Sequence, residues 1–297
     1  MKGRYYNDSD KDTICNRYIR RQINKYKKKK VELIISDMHV KGVRWRQRIH
    51  PFLIKLLQIK SKLSGLTYEF INENIVEKSD KPVIYAITHI GKYDYEMLLE
   101  ACPALFAYVF AGDRELMYAT VNDTFMQAMG VLWVDTSDKA DRGNSFRMMV
   151  KYLKQGISFI IYPEGIWNLT ENLPMMKIYP GVVQAAQECD VPIIPIAIEQ
   201  QEKHFMLNVG KEFSVVGMDE DMAVQLVRDA LTTLKWEIWE TFPIEKRKDI
   251  PEGYYKSFLN KRVSECAGFT VELIQGRMYK DKKDREIEQI KKDLSRI

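Results

Sequence analysis

Cysteine is scarce: four residues, at 15, 102, 189 and 266, in a chain of 297. No two form a Cys-x-x-Cys and no histidine stands beside them at metal-ligand spacing. A zinc site or a disulfide framework is therefore not expected, and reduced thiols in a cytoplasm are the plain reading. Histidine is equally rare, at 39, 50, 89 and 204. No uncharged apolar run approaches about 18 residues, so no membrane-spanning helix is expected. Residues 1–30 are basic and polar, without the apolar stretch of a signal peptide. The sequence also has no G-x-S-x-G, no G-x-G-x-x-G and no Walker A pattern. Serine-hydrolase and nucleotide-dependent chemistries lose their main support on that account. With 45% hydrophobic and 29% charged residues, the chain is neither wholly disordered nor collagen-like.

Charge is present but uneven. Residues 1–62 hold 18 Lys/Arg against 5 Asp/Glu, +13, and the remainder sums to −8, giving the net +5. A basic arm on an acidic body calls for an anionic partner, a lipid surface or a nucleic acid. Between Arg17 and Lys30, Tyr18 and Tyr26 interleave with the cations, but no nucleic-acid recognition module is recognisable, so nucleic acid is the less expected partner. Residues 1–44, with Lys27-Lys28-Lys29-Lys30 at their centre, read as partly helical or loosely ordered. From Trp45 to Leu63 the pattern is a basic amphipathic helix. Pro51 suits a first helical turn, Phe52, Leu53, Leu56, Ile59 or Lys60, and Leu63 recur at steps of three and four, Lys55, Lys60 and Lys62 flank them, and Gly65 ends the run. Such a helix either lies in a membrane interface with its lysines at anionic head groups or packs its stripe on the body.

The body alternates short apolar runs with helical spacing. Strands are expected near Pro82–Thr88, Ala104–Ala111, Val131–Val134, Ile157–Tyr162 and Ile193–Ile198, and another strand or a hairpin at Phe205–Val216. Helices are expected at Tyr93–Ala101, Asn144–Gln155, Gly181–Cys189 and Asp219–Thr241, with a further helix in the Lys/Glu-rich tail from Arg277. This pattern predicts an α/β fold: a layered, mixed, mostly parallel sheet flanked by helices, preceded by the basic amphipathic region. The expected division is residues 1–66, an α/β body of residues 67–242, and a helical extension of residues 243–297.

Two strand ends carry candidate chemistry. His89 follows the first body strand, and Asp94 stands five positions on, at the start of a helix. If the loop curls, the carboxylate returns to the imidazole, fixes its tautomer and supports the imidazolium, the general-base half of a triad without a serine. The bland alternative is that Asp94 only stabilises the helix N-terminus. At the end of a later strand, Tyr162-Pro163-Glu164-Gly165 forces a sharp turn and presents Glu164, or is an ordinary surface turn. Gly112-Asp113-Arg114-Glu115-Leu116 places a cation after another strand, and Val191-Pro192-Ile193-Ile194-Pro195-Ile196-Ala197-Ile198 is scaffold or acyl-chain wall.

Taken in order, His89-x4-Asp94, the Arg114-Glu115-Leu116 element, Pro163-Glu164-Gly165 and the Val191–Ile198 strand resemble the glycerolipid acyltransferase family, the PlsC-like 1-acylglycerol-3-phosphate acyltransferase group, over about Lys81 to Glu199. The resemblance implies an enzyme in which His89 deprotonates a lipid hydroxyl, Asp94 orients it, and the hydroxyl attacks the thioester of acyl-CoA or acyl carrier protein. The donor is a substrate, and no cofactor or metal is implied. Glu164 and Gly165 would belong to the acceptor-binding motif. The resemblance also implies a cytoplasmic chain held peripherally at the inner face of the cell membrane. Oxyanion donors are expected among backbone N–H groups at the helix after His89. The third motif departs from the family's Phe-Pro-Glu-Gly-Thr-Arg-Ser: Trp167 stands where the arginine does, and Thr136 follows Asp135 where an arginine is common. Any phosphate would then be held by Arg114, Arg142 or Lys177, or the acceptor is not a simple glycerol phosphate. The alternative is a degenerate, non-catalytic relative that binds anionic lipid or nucleic acid through its arm.

Overall fold

The computed structural model describes residues 14–35, 42–72, 81–112, 123–170, 172–241, 249–265, 269–280 and 282–294. Seven strands form one sheet in the order β1-β7-β6-β2-β5-β3-β4: β1 (Thr67–Phe70), β2 (Ile84–Ile87), β3 (Ala107–Ala111), β4 (Val131–Trp133), β5 (Ser158–Ile161), β6 (Ile193–Gln201) and β7 (His204–Val209). From β6 to β4 every pairing is parallel, with Tyr85 opposite Ile160 and Ile194. β7 folds back antiparallel on β6, and β1 runs parallel to β7. The sheet is thus mixed and mostly parallel, as the apolar runs predict. β1 was not foreseen: four residues with three exposed carry no buried-strand signature.

Helices cover both faces. Alternate residues of β2 divide between two cores. Tyr85 and Ile87 join Leu53, Leu57, Met97 and Leu98, contributed by α2 (Val43–Ser64) and α3 (Asp94–Ala101). Ile84 and Ala86 join Met149, Leu153, Val183 and Leu231, contributed by α5 (Lys139–Lys154), α6 (Gly181–Cys189) and α7 (Glu220–Thr241). A strand with both faces apolar needs both layers, since either face left wet would forfeit its burial energy. α1 (Ile14–Ile35) lies on α5, α4 (Asp123–Met129) leads into β4, and α8 (Tyr254–Ser264), α9 (Val271–Gln275) and α10 (Lys282–Leu294) follow.

α2 starts earlier than its sequence suggests, so Pro51 sits inside the helix rather than in its first turn. Pro51 and Gln47 are both exposed, so solvent serves the carbonyl that the missing N–H leaves unpaired. Gly65, at φ 70°, ends the helix with its N–H on Lys62 O and that of Leu66 on Ser61 O.

Part of the basic arm serves the chain itself. Lys30 is buried, its Nζ 2.9 Å from Asp141, from Trp133 O and from Ser145 Oγ. Burial pushes its pKa down, against the pull of Asp141. Lys27 reaches Asp135 at 2.6 Å and Asp138 at 2.9 Å. Burial works to raise the Asp135 pKa, but hydrogen bonds from Lys27 and Ser137 outweigh it and hold it at about 2. Arg46 of α2 is buried between the rings of Phe106 and Tyr108 and donates to the last carbonyls of α4, at Ala128 and Met129. No described helix is long and apolar enough to cross a membrane.

Candidate active site

Because β2, β5, β3 and β4 are parallel neighbours, their C-terminal ends line one edge of the sheet, where open α/β sheets place ligands. His89 leaves β2 there and Tyr162–Gly165 leaves β5, side by side. The two loops are tied together: the His89 N–H donates to Glu164 Oε2 at 3.3 Å, and the Asn168 N–H donates to His89 O at 2.6 Å.

His89 Nδ1 lies 2.7 Å from Asp94 Oδ2. A carboxylate only accepts, so Nδ1 carries the hydrogen and Nε2 is left with its lone pair. Asp94 is 1% exposed, and the same Oδ2 takes the N–H groups of Ile90 at 2.7 Å and Gly91 at 3.1 Å. One oxygen therefore shapes the loop and aims the ring. The carboxylate is committed to this loop, not to the free N–H groups of α3. The N–H groups of Ile90 and Gly91, in the loop before α3, are thereby taken by Asp94.

The imidazole keeps 22% of its side-chain surface exposed. Two aromatic rings border it: Tyr162 stacks on it at 4.2 Å and 25°, and Trp167 meets it edge-on at 6.2 Å. The Tyr162 hydroxyl and Asp94 Oδ1 are buried without a protein partner. Burial, and then the Asp94 charge, push the Tyr162 pKa well above its usual value, so the phenol stays neutral.

Glu164 does not face outward. It is 0% exposed, with Oε1 accepting the Met176 N–H at 2.9 Å while Oε2 takes that of His89. Burial raises its pKa, opposed by those two N–H groups. The strand-end turn that sequence reads as presenting Glu164 to substrate instead turns it inward, as a brace between two loops. Gly165, at φ 72°, is required where it stands, because a Cβ would come within 2.6 Å of the Tyr179 ring.

The remaining described candidates bond within the chain. Arg142 donates to Thr136 O at 2.6 Å, beyond β4, and Lys177 pairs with Asp284 of α10 at 2.7 Å. Arg114 lies outside the described residues. A cavity of about 90 Å³ at the β4 end is lined by Tyr26, Lys27, Asp135, Thr136 and Arg277, and its walls include neither His89 nor Asp94.

Sequence reasoning missed the C-terminal contribution. Phe269 stacks on Trp167 at 5.4 Å and 18°. Arg262 of α8 bonds Gln200 Oε1 and packs against Gly91, and Lys92 Nζ donates to Glu265 O at 3.0 Å. Tyr162 and Trp167 stand within the quoted motif, so the signal for them was in view; Phe269 and Arg262 lie some 100 residues away with no local signal.

Residues 68–199 match the family model described as Acyltransferase. The chain is similar to an uncharacterized acyltransferase of Schizosaccharomyces pombe, 24% identical over 144 residues, 48% of this chain and 50% of that one. It is also similar to the 1-acyl-sn-glycerol-3-phosphate acyltransferase of Saccharomyces cerevisiae, 24% identical over 135 residues, 45% of this chain and 43% of that one. It thus spans half or less of the length of these curated relatives. Among solved structures it resembles the 1-acyl-sn-glycerophosphate acyltransferase PlsC of Thermotoga maritima, with a TM-score of 0.54 at 14% identity, over 76% of this chain and 95% of that one. At that identity the likeness speaks to the fold.

Proposed function

Residues 68–199 match the family model described as Acyltransferase, and from that match we propose that the chain moves a fatty acyl group from acyl-CoA or acyl carrier protein onto a hydroxyl of a lysophospholipid or glycerol-phosphate-like acceptor. The observation that carries this is the 2.7 Å His89–Asp94 pair, part-exposed at the sheet edge.

An alcohol is a poor nucleophile at neutral pH and needs a base within hydrogen-bond reach. His89 Nε2 takes the hydroxyl proton as the oxygen attacks the thioester carbonyl. Asp94 supports the imidazolium that forms. The tetrahedral intermediate collapses with loss of the C–S bond, and the imidazolium returns its proton to the departing thiolate. The thioester is already activated, so no covalent enzyme intermediate is needed. Stacked Tyr162 and edge-on Trp167 restrict the ring's rotation.

Delivery of lipid substrates falls to α2. Its buried face carries Val43, Leu53, Ile54 and Leu57, while Trp45, Phe52, Leu56, Ile59 and Leu63 form a second, exposed apolar stripe. Arg44, Arg48, Lys55 and Lys62 are exposed along its flank. An apolar stripe beside cations is the pattern that seats a helix in an anionic membrane interface. The proposed location is peripheral, at the cytoplasmic face of the cell membrane.

The test is radiolabelled acyl transfer by the purified chain and by His89→Ala. Transfer by wild type with none above background by the variant, at unchanged circular dichroism, is expected; turnover retained by the variant removes the mechanism.

A further inference from the structure

Resting on the reading that His89 activates an acceptor hydroxyl, we propose that this hydroxyl belongs to a lipid alcohol without a phosphomonoester, because the wall beside the base is aromatic and the ionic groups around it, among the described residues, are engaged within the chain.

The wall is built from three rings. Tyr162 and Trp167 flank His89, and Phe269, from beyond the family domain, stacks behind Trp167. Trp167 is 7% exposed and packs in one cluster with Leu259, Val263 and Ile274 of α8 and α9. The C-terminal helices thus hold a flat apolar surface against the base.

Among the described residues, the cations near these loops are engaged. Lys92 donates to Glu265 O, Arg262 to Gln200, Lys177 to Asp284, and Arg228 to Met176 O. Lys235 is buried against Glu199 at 2.9 Å and Ile198 O at 2.6 Å. The loop N–H groups of His89, Ile90, Gly91, Gly165 and Met176 are taken by Glu164, Asp94 and Tyr162 O.

A phosphomonoester carries about −1.5 to −2 charge at neutral pH. It needs cations or several N–H donors, and taking it from water without them is costly. Here it would meet rings, beside the carboxylates of Asp94 and Glu164. A neutral glycerol hydroxyl, or a lysophospholipid whose phosphate is a diester facing away, meets the same rings without that penalty.

The experiment uses the full chain in non-ionic micelles, with oleoyl-CoA and oleoyl-acyl carrier protein as donors. The acceptors are monooleoylglycerol, oleoyl lysophosphatidylcholine, oleoyl lysophosphatidate and glycerol 3-phosphate. The expected result is kcat/KM at least tenfold higher for one of the first two than for either phosphomonoester. Lysophosphatidate or glycerol 3-phosphate as the equal or better acceptor overturns the inference and leaves the acyltransferase reading standing. No transfer from either donor to any acceptor removes that reading, and this inference with it. Trp167→Arg supplies a cation in the wall and is expected to shift the ratio at least tenfold towards phosphomonoesters, with Trp167→Phe keeping the wild-type order. An unchanged ratio in a folded Trp167→Arg also overturns the inference. Should that variant not fold, the wild-type ranking decides alone.

Discussion

Asp94 Oδ2 receives three hydrogens: from its histidine and from the N–H groups of Ile90 and Gly91. Replacing it tests geometry and electrostatics together. Asp94→Asn keeps the shape but removes the charge that supports the imidazolium and can turn an N–H toward Nδ1. kcat is expected to fall by about 10²–10⁴, the worth of a positioned base, with the KM for the acyl donor little changed. Steady-state kinetics at saturating acceptor check this, and a wild-type kcat would show that the dyad assignment is wrong. Glu164 illustrates the opposite lesson at the same scale. Its place after a strand-end proline read as presentation to substrate, yet the carboxylate turns inward because two buried N–H groups would otherwise lack an acceptor.

α2 works on two faces, and each yields an expectation. Its inner face carries His50, buried and packed edge-on against Phe106. Burial, then the charge of Arg46, lowers its pKa from 6.5 to about 4. The sign follows: between pH 6.5 and 4 the unfolded chain takes a proton that the folded chain refuses, so stability falls as pH falls through that window. At one unit per 1.36 kcal/mol the loss is on the order of 3 kcal/mol. Urea denaturation from pH 7 to 4.5 is expected to show it in wild type and to show a flatter profile in His50→Leu. On the outer face, Phe52 and Ile59 are 62% and 57% exposed. The double change Phe52→Asp, Ile59→Asp should leave the melting temperature in place and abolish co-sedimentation with anionic vesicles. Vesicle binding equal to wild type would remove the docking role of this stripe.

Across the whole molecule, distant segments close on one another through ions. Lys30 of α1 and Asp141 of α5 lie 111 positions apart and are both buried. Lys30→Ala leaves a carboxylate buried without its cation, a change that costs about 3–5 kcal/mol; equilibrium unfolding in urea measures it. A loss below about 1 kcal/mol, the worth of an exposed pair, would mean that α1 is only loosely seated. Contacts other than ion pairs seat the C-terminal part: Arg262 of α8 lies against Gly91 of the His89 loop, and Phe269, just before α9, stacks on Trp167.

The sequence by itself determined most of the sheet and the pairing of His89 with Asp94. Strands buried on both faces must be apolar at successive positions, so β2, β5 and β6 are written as continuous apolar runs. A loop that returns a carboxylate to a histidine five residues earlier is a local matter, and so was legible. What surrounds that pair was decided only in three dimensions. Whether Lys30 meets a membrane or Asp141, whether Glu164 faces substrate or braces Met176, and whether Trp167 meets solvent or Phe269 depend on contacts between residues far apart in the chain. Charge and hydrophobicity record what a side chain can pair with; only the packed fold chooses the partner, because burial makes each pairing exclusive.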